Sequence, residues 1–399
     1  MEHSDVLLDR LRAARKAGGL TQQDVADQLN LARTTFVAIE KGERPISPTE
    51  LVALAGVLKR PVSELLRAQP VPQDFVAHFR LRPEASNEDK ALSESVRLLQ
   101  DLADDYVTLE RFTGAPLPQR YPTETEVAAN APSEAGESLA LGERNRLGLG
   151  DAPVHNLRQL LEADVGLRIF ALSLPGTVAG LFVHSPEYGA CIAINANHPA
   201  ERQRWSLSHE YAHFLAHRSR TEITLLGKYQ RVPAEERFAD AFAESFLMPS
   251  SGLKRRFHEL KQSRNGAVTP ADLLNLADLF QVSLEALVLR LENLDLIRPH
   301  TWDRLLKAGF RVGEARQMLQ LMALPPDTAM LPLRFRYLAV EAYLDGEISE
   351  GQFARFLRVD RASARRLAHR LASRVDVEDS GELAAVEIDA LGPIEAANS

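Results

Sequence analysis

The sequence of 399 residues contains one cysteine, Cys191, which excludes an intramolecular disulfide framework and a metal site built from cysteines alone. Any bound metal ion must therefore be held by histidine, aspartate or glutamate. The sequence also lacks an apolar run of the roughly 18 residues that a membrane-spanning helix needs. Residues 1–15 lack the continuous apolar core of a signal peptide. We therefore expect a cytoplasmic protein that has no membrane partner.

Aromatic residues are scarce, at 6% of the sequence, whereas leucine, valine and alanine are plentiful, which favours helices. The sequence offers three convincing β-prone runs, at Leu167–Leu172, Val178–His184 and Ala190–Asn195. Turn signals rich in proline and glycine separate these runs. The predicted fold class is α+β and mostly α, with one small β-sheet.

The net charge of −8 has a local origin and does not exclude a nucleic-acid partner. Residues 376–399 contain seven acidic residues and no basic one, so this predicted acidic tail supplies nearly the whole imbalance. Residues 1–68 contain ten basic and nine acidic residues and carry a charge of +1. The N-terminal region is thus nearly neutral, although non-specific affinity for DNA comes mostly from lysine and arginine.

The N-terminal region shows the pattern of two short helices joined by a tight turn. Thr21 is a good N-cap for a helix from Gln22 to Leu29, and Asn30 tolerates the left-handed conformation of the turn. A second helix is predicted over Ala32–Lys41, and apolar residues of both helices form a shared core. This pattern is typical of a helix-turn-helix unit.

The predicted second helix presents polar or short side chains on its outer face, at Arg33, Thr34, Thr35 and Ala38, which suit the reading of base edges in the major groove. Gln22 stands at a helix N-terminus, where it can meet a phosphate. Residues 5–68 closely resemble the phage-repressor-like (XRE-type) helix-turn-helix family. The resemblance implies binding to double-stranded operator DNA, usually as a homodimer on two half-sites. The alternative is a helical protein-interaction module without DNA contact.

A histidine-rich motif, H-E-x-x-H, occurs at His209, Glu210 and His213. On a helix, residues four apart lie on one face, so both imidazoles can reach one zinc ion. Glu210 lies about 100° around the same helix. It is placed to take a proton from a water molecule that the zinc ion activates for attack on a carbonyl.

A catalytic zinc site needs a third protein ligand, and the acid-rich segment 234–249 supplies the candidates. Glu236 is the proposed ligand, and Glu235 competes with it. Asp240 shares a helix face with Glu236, so we expect it to accept a hydrogen bond from a ligand histidine. His217 extends the series of histidines four residues apart, and we interpret it as structural.

Residues 137–290 resemble the ImmA/IrrE family of metallopeptidases. The resemblance rests on four motifs, at Ile192–Asn195, Arg202–Trp205, His209–His217 and Glu236–Pro249. It implies a zincin-like fold in which His209, His213 and Glu236 bind zinc and Glu210 is the general base. Asp240 stands where the family more often has asparagine, so the sequence departs from the family pattern at this position.

These patterns divide the chain into a series of predicted domains. They are a helix-turn-helix domain at 1–70, a helical connector and Pro-rich linker at 71–136, a zincin-like metallopeptidase domain at 137–295, a helical C-terminal domain at 296–375 and an acidic tail at 376–399. Within the C-terminal domain, residues 349–375 resemble a further helix-turn-helix unit and contain seven arginines. A solvated helix face, docking onto the acidic tail and a second DNA contact are the open interpretations.

The sequence therefore predicts a DNA-binding transcriptional regulator with zinc-dependent endopeptidase activity. The resemblance implies that it cleaves a specific protein, such as a repressor or an antitoxin, and that protein could be the chain itself. The alternative is a transcriptional repressor or antitoxin of a toxin–antitoxin or phage-type system. In that case the peptidase-like domain binds a partner or senses metal without turnover.

Overall fold

A computed structural model describes residues 7–8, 11–12, 14–15, 20–58, 62, 87–125, 127, 130–218, 224–225 and 234–372. The acidic tail predicted at 376–399 lies outside the described residues. The same holds for residues 71–86 of the predicted connector and for parts of the N-terminal domain.

The N-terminal unit contains the helices α1 (Gln22–Gln28), α2 (Arg33–Glu40) and α3 (Pro48–Val57). Thr21 and Asp24 form a reciprocal capping box at the start of α1, and Ser47 and Glu50 form another at the start of α3. These helices surround a small core of their own, formed by Leu11, Val25, Ala26, Phe36, Leu51, Leu54, Ala55 and Leu58.

The remaining elements begin with one long helix, α4 (Asn87–Phe112). They continue in chain order with α5 (Pro132–Arg146), α6 (Leu157–Leu160), β1 (Arg168–Leu172), β2 (Gly180–Ser185), β3 (Gly189–Asn195), α7 (Ala200–His217), β4 (Thr224–Leu225), α8 (Ala234–Leu247), α9 (Ser250–Ser263), α10 (Pro270–Phe280), α11 (Leu284–Asn293), α12 (Thr301–Lys307), α13 (Val312–Met318), α14 (Leu333–Leu344), α15 (Glu350–Leu357) and α16 (Arg361–Ala372).

The sheet has the strand order β1-β3-β2-β4. Strand β1 runs parallel to β3, with Ile169 opposite Ile192, and β2 runs antiparallel to both β3 and β4. The three longer strands match the predicted β-prone runs to within two residues at each end. Strand β4 was not predicted, because two residues are too few to show an alternating pattern.

The two faces of the sheet carry separate apolar cores, because alternate residues of each strand point to opposite sides. Ile169, Ile192 and Ile194 point towards α5, α7, α8, α10 and α11. Phe170 and Leu181 point the other way, towards α4, α14, α15 and α16. We call these the α7 face and the α4 face. The fold is thus α+β and mostly α, as predicted, with the sheet between two helical layers.

The Pro-rich segment from residue 114 packs along the α7 face, although its composition indicates a linker. The backbone N–H groups of Arg120 and Thr125 donate to the carbonyls of Val165 and Leu215. The hydroxyl of Tyr121 accepts a hydrogen bond from the backbone N–H of Ala190 at 2.9 Å. Prolines lower the conformational entropy that is lost when an extended segment becomes ordered. A Pro-rich composition therefore suits a segment that packs against the protein as well as it suits a linker.

The sequence also predicts helices over Glu137–Leu149 and Val154–Asp164, and their bounds differ from those in the structure. The helix predicted over Glu137–Leu149 begins earlier, at Pro132, because proline fits the first turn of a helix. The helix predicted over Val154–Asp164 is one α-helical turn followed by a π-helical turn, Leu161–Val165.

The predicted C-terminal domain, 296–375, contains two helices that were not anticipated, α12 and α13. Its last three helices share the core of the α4 face with the predicted connector helix. The domain boundaries stay predictions. Within the described residues no helix is both long and apolar enough to cross a membrane.

Candidate metal centre and DNA-binding surface

Helix α7 carries the H-E-x-x-H motif through the centre of the α7 face. His209, Glu210 and His213 are all buried there, with at most 1% of each residue exposed. The helix interior around them is apolar and aromatic, with Tyr211 and Phe214 packed against α8 and the sheet. Two imidazoles and a carboxylate in such surroundings need partners, because burial of an unpaired polar group is costly.

Helix α8 crosses α7 and brings Glu236 to both histidines. The Oε2 atom of Glu236 lies 3.4 Å from Nε2 of His209, and its Oε1 atom lies 3.6 Å from Nε2 of His213. The two Nε2 atoms lie 3.1 Å apart. The three side chains form a cluster whose ligand atoms all lie within 4.8 Å of one another. Glu235, the competing candidate, is not part of this cluster.

The cluster fits a tetrahedral ion such as zinc. Ligand atoms at about 2.0–2.1 Å from a tetrahedral ion stand about 3.3–3.4 Å from one another. The separations of 3.1, 3.4 and 3.6 Å bracket that value. Three protein ligands leave a fourth position open, which is the pattern of catalytic sites.

Each ligand histidine has a partner at its other ring nitrogen. Nδ1 of His209 lies 3.0 Å from Oδ1 of Asp240, so donation to that carboxylate leaves Nε2 free to face the cluster. Burial lowers the pKa of His209, but the hydrogen bonds with Asp240 and Glu236 outweigh it and the pKa stands at about 9. Nδ1 of His213 lies 3.2 Å from Nδ1 of His217.

Glu210 is fully buried beside the cluster, and among the described residues neither of its carboxylate oxygens has a hydrogen-bond partner. Burial raises the pKa of Glu210 to about 8, with His209 opposing the shift and Glu236 adding to it. A buried carboxyl without partners costs stability, so its presence calls for a ligand or a water molecule at that point.

Gly180, which sequence reasoning did not single out, lies against Glu210. A Cβ atom at this position of β2 would stand 2.9 Å from Oε1 of Glu210 and 3.3 Å from the carbonyl oxygen of Ala193. The sheet therefore approaches the carboxylate closely because residue 180 has no side chain. A glycine inside a strand run was the available signal.

A buried network behind α7 was also missed. The guanidinium of Arg144, on α5, donates to the backbone carbonyls of Gly150, Phe246 and Ala152 and so ties α5 to α8. The hydroxyl of Tyr211 donates to Glu143, which also pairs with Arg146. No local sequence signal marks this network, because Tyr211 and Phe246 lie 68 and 102 residues from their partners on α5.

Two of the sequence motifs that carry the family resemblance have structural roles. Arg204 donates to the backbone carbonyls of Val154, His155 and Gln281, which anchors α7 to its neighbours. The side-chain amide of Asn195 donates to the carbonyl of Val178 at 2.8 Å, and its Oδ1 accepts from the N–H of Asn197. These residues hold the loops around the site and do not reach the cluster.

The N-terminal unit has the geometry of a helix-turn-helix. Asn30 adopts the left-handed conformation, with φ at 53°, and the N–H of Leu31 donates to the carbonyl of Ala26. Arg33 and Thr34 are exposed at the start of α2, while Thr35 and Ala38 are half-buried. The side chain of Gln22 donates to the buried carboxylate of Glu40 at 2.7 Å, so it also supports the interior of the unit.

Comparison with family models finds the two predicted domains. A model described as an IrrE N-terminal-like domain, of the Peptidase_M78 family, matches residues 162–292, and a helix-turn-helix model matches residues 11–65. The chain therefore combines a DNA-binding helix-turn-helix domain with a metallopeptidase-like domain. Both family resemblances are confirmed.

A comparison with solved structures aligns the chain with the crystal structure of ComR from Streptococcus suis. The alignment covers 93% of this chain and 88% of that chain, at 13% sequence identity and a TM-score of 0.15. No curated protein matches the chain.

Proposed function

We propose that this chain, which carries a helix-turn-helix domain followed by an IrrE-type metallopeptidase-like domain, is a cytoplasmic DNA-binding regulator that cleaves a specific protein with the help of zinc. The observation that carries the proposal is the pairing of a His209–His213–Glu236 ligand cluster with a buried carboxyl, Glu210, that has no partner among the described residues. A three-residue ligand set with an unpartnered carboxyl beside it is the arrangement that metal-assisted hydrolysis uses.

In this proposal each residue has a distinct part. His209, His213 and Glu236 hold the ion, which when bound supplies the Lewis-acid polarisation of a water molecule and of the scissile carbonyl. Glu210 accepts the proton of the attacking water and passes it to the leaving amine. Asp240 fixes the ring orientation of His209.

In this proposal the helix-turn-helix domain binds double-stranded DNA, which is one of the partners of the chain. Arg33, Thr34, Thr35 and Ala38 are proposed to face base edges of an operator, and Gln22 a phosphate. The domain works as a homodimer in this proposal, because two half-sites compensate for a nearly neutral surface. The protein substrate is a repressor or antitoxin, or the chain itself.

Metal content tests the ligand set. Elemental analysis of the purified protein should find about one zinc ion per chain, because three protein ligands suffice for a catalytic site. His213→Ala and Glu236→Ala should lose the ion, whereas Glu235→Ala, a neighbouring carboxylate on the same helix, should retain it. Retention by Glu236→Ala with loss from Glu235→Ala would reassign the third ligand.

Cleavage is tested with Glu210→Gln, which keeps the size of the side chain. Protein termini would be compared by mass spectrometry between cells that contain the wild type and cells that contain this variant. Termini that depend on Glu210 should mark the substrate, while zinc content stays unchanged. Zinc binding without any Glu210-dependent terminus would support the alternative, a repressor or antitoxin without turnover.

A further inference from the structure

The pair of helices α15 and α16 repeats the backbone pattern of α1 and α2 residue by residue. Ser349 caps α15 with Gln352 as Thr21 caps α1 with Asp24, each through a capping box. Nine residues after each cap, Arg358 and Asn30 adopt the left-handed conformation, with φ at 56° and 53°. The second helix of each pair then begins three residues further on.

The hydrogen bonds of the two turns correspond as well. In the N-terminal unit the N–H groups of Asn30 and Leu31 donate to the carbonyls of Asp27 and Ala26. In the C-terminal unit, at the equivalent positions, Arg358 donates to Arg355 and Val359 donates to Ala354. The two turns therefore share one backbone hydrogen-bond pattern, which also occurs at the turns at Gln281 and Gly309.

Burial follows the same register. The buried residues Val25, Ala26 and Phe36 have buried counterparts at equivalent positions, namely Phe353, Ala354 and Ala364. The exposed pair Arg33 and Thr34 corresponds to the exposed pair Arg361 and Ala362. The outer face of α16 is thus the equivalent of the DNA-reading face proposed for α2.

The other helix-turn-helix-like pair, α10 and α11, does not share this register. Its cap, Thr269, precedes the left-handed residue Gln281 by twelve residues instead of nine. Its second helix packs into the core of the α7 face, and Arg290 on it pairs with Glu137 and Glu244. The pair α12 and α13 does share the spacing, with Gly309 left-handed nine residues after His300, but it has no capping box and none of its residues is buried. Among these pairs, only α15 and α16 combine the spacing, the capping box and the burial pattern of α1 and α2.

Charge distinguishes the two matching units in favour of the C-terminal one. Residues 349–372 contain six arginines and two acids, a net charge of +4, whereas the equivalent residues 21–44 contain three basic residues and four acids, a net charge of −1. Arg355 and Arg358 turn inward to the buried carboxylate of Asp105 and fasten the unit to α4. On α16, Arg361, Arg365 and Arg366 remain on the exposed face.

We propose that α16 is a second DNA-recognition helix and that its exposed arginines contact the phosphates and base edges of a DNA duplex. Arginine is the side chain most often used for both kinds of contact. Arg361 and Arg366 stand at the positions of Arg33 and Ala38. Arg365 also pairs with Glu350 at the surface, an exposed pair that a phosphate can replace. The site is separate from the metal centre and does not depend on it.

The test uses the full-length protein and a duplex that the wild type selects from a random-sequence pool. Arg361→Ala/Arg366→Ala should weaken binding roughly tenfold or more, since base and phosphate contacts are both lost. The slope of the logarithm of the binding constant against that of the salt concentration should fall by about two. The control, Arg298→Ala/Arg311→Ala, removes two exposed arginines that lie outside both helix-turn-helix units and should bind as the wild type does.

A second pair of substitutions separates this proposal from the one made for the N-terminal unit. Arg33→Ala/Thr34→Ala should weaken DNA binding but leave an affinity that still depends on salt. Adding Arg361→Ala and Arg366→Ala to this variant should remove the remaining affinity. If changes at Arg361 and Arg366 leave affinity and salt slope as in the wild type, the proposal is overturned and those arginines serve a protein partner or the acidic tail. If only the changes at Arg33 and Thr34 are silent, the N-terminal assignment fails and this one stands.

Discussion

The two faces of the sheet differ in whether a buried charged group has a partner. On the α4 face, Arg168 and Glu110 are buried together at 2.8 Å, and Arg334 adds a second contact to Glu110 at 3.0 Å. On the α7 face, Glu210 is buried with no hydrogen-bond partner among the described residues. The first arrangement pairs opposite charges within the protein, whereas the second leaves a carboxyl group available to a ligand.

This difference indicates which layer is scaffold and which layer holds the function. Paired charges and close-packed rings, such as Tyr106 against Phe335 at 5.3 Å, give the α4 face a fixed structure. The α7 face carries three histidines and three carboxyls in one cluster of contacts, an arrangement that costs stability until a ligand is bound. The α4 face is therefore expected to govern stability, and the α7 face metal binding and catalysis.

The largest expected effect is a loss of stability with function retained. Phe335→Ala empties a buried site on the α4 face and should lower the free energy of unfolding by about 3–5 kcal/mol, as measured by denaturant titration. The folded fraction should still bind about one zinc ion per chain. Phe242→Ala, an equally buried phenylalanine on α8, should destabilise similarly and also weaken zinc binding, because α8 carries Glu236. Equal zinc affinity in the two variants would break the comparison.

A smaller effect is expected from the metal itself. Zinc at about 100 times its dissociation constant should raise the free energy of unfolding by about 2.7 kcal/mol over the chelator-treated protein, because the ion binds the folded state. Thermal or denaturant unfolding with and without zinc measures the difference. His213→Ala should abolish the increase and Phe335→Ala should keep it. An undiminished increase in His213→Ala would place the ion elsewhere.

The smallest expected effect on stability comes from one added methyl group at Gly180. Gly180→Ala should cost about 1–3 kcal/mol of stability, because the new Cβ displaces the carboxylate of Glu210 or the strand beside it. Cleavage should fall while zinc content is kept. Gly176→Ala is the matched control, since its Cβ would have no neighbour within 4 Å. If Gly180→Ala cleaves as the control does, the close approach of β2 to Glu210 has no part in catalysis.

Features that lie within a short stretch of chain could be predicted from the sequence. The capping residues Thr21 and Thr269 mark helix starts in the sequence. The helices that the sequence predicts over Ala234–Leu247, over Pro270–Phe280 and near Leu333–Leu344 agree with α8, α10 and α14. The four-residue spacing of His209 and His213 fixes their common face once α7 forms. Each of these follows from propensity or periodicity, which act over a few residues.

Features that depend on contacts across the chain could not be read in this way. The Pro-rich segment is held against the α7 face by hydrogen bonds to the carbonyls of Val165 and Leu215, and the composition of the segment does not reveal these partners. The grouping of α4 with α14, α15 and α16 joins helices more than 200 residues apart, and neither segment indicates the other. Gly180 meets Glu210 only because β2 lies beside α7.

Two chemistries are encoded in the order of residues: a helix-turn-helix with its left-handed Asn30, and two histidines and a glutamate with the spacing that one metal ion requires. Packing, in contrast, sets where Glu236 stands relative to both histidines and buries Glu210 without a partner among the described residues. Packing also leaves the outer face of α16 exposed. The reason is that local spacing orients side chains on one helix, whereas only contacts between helices set the distance from one helix to the next.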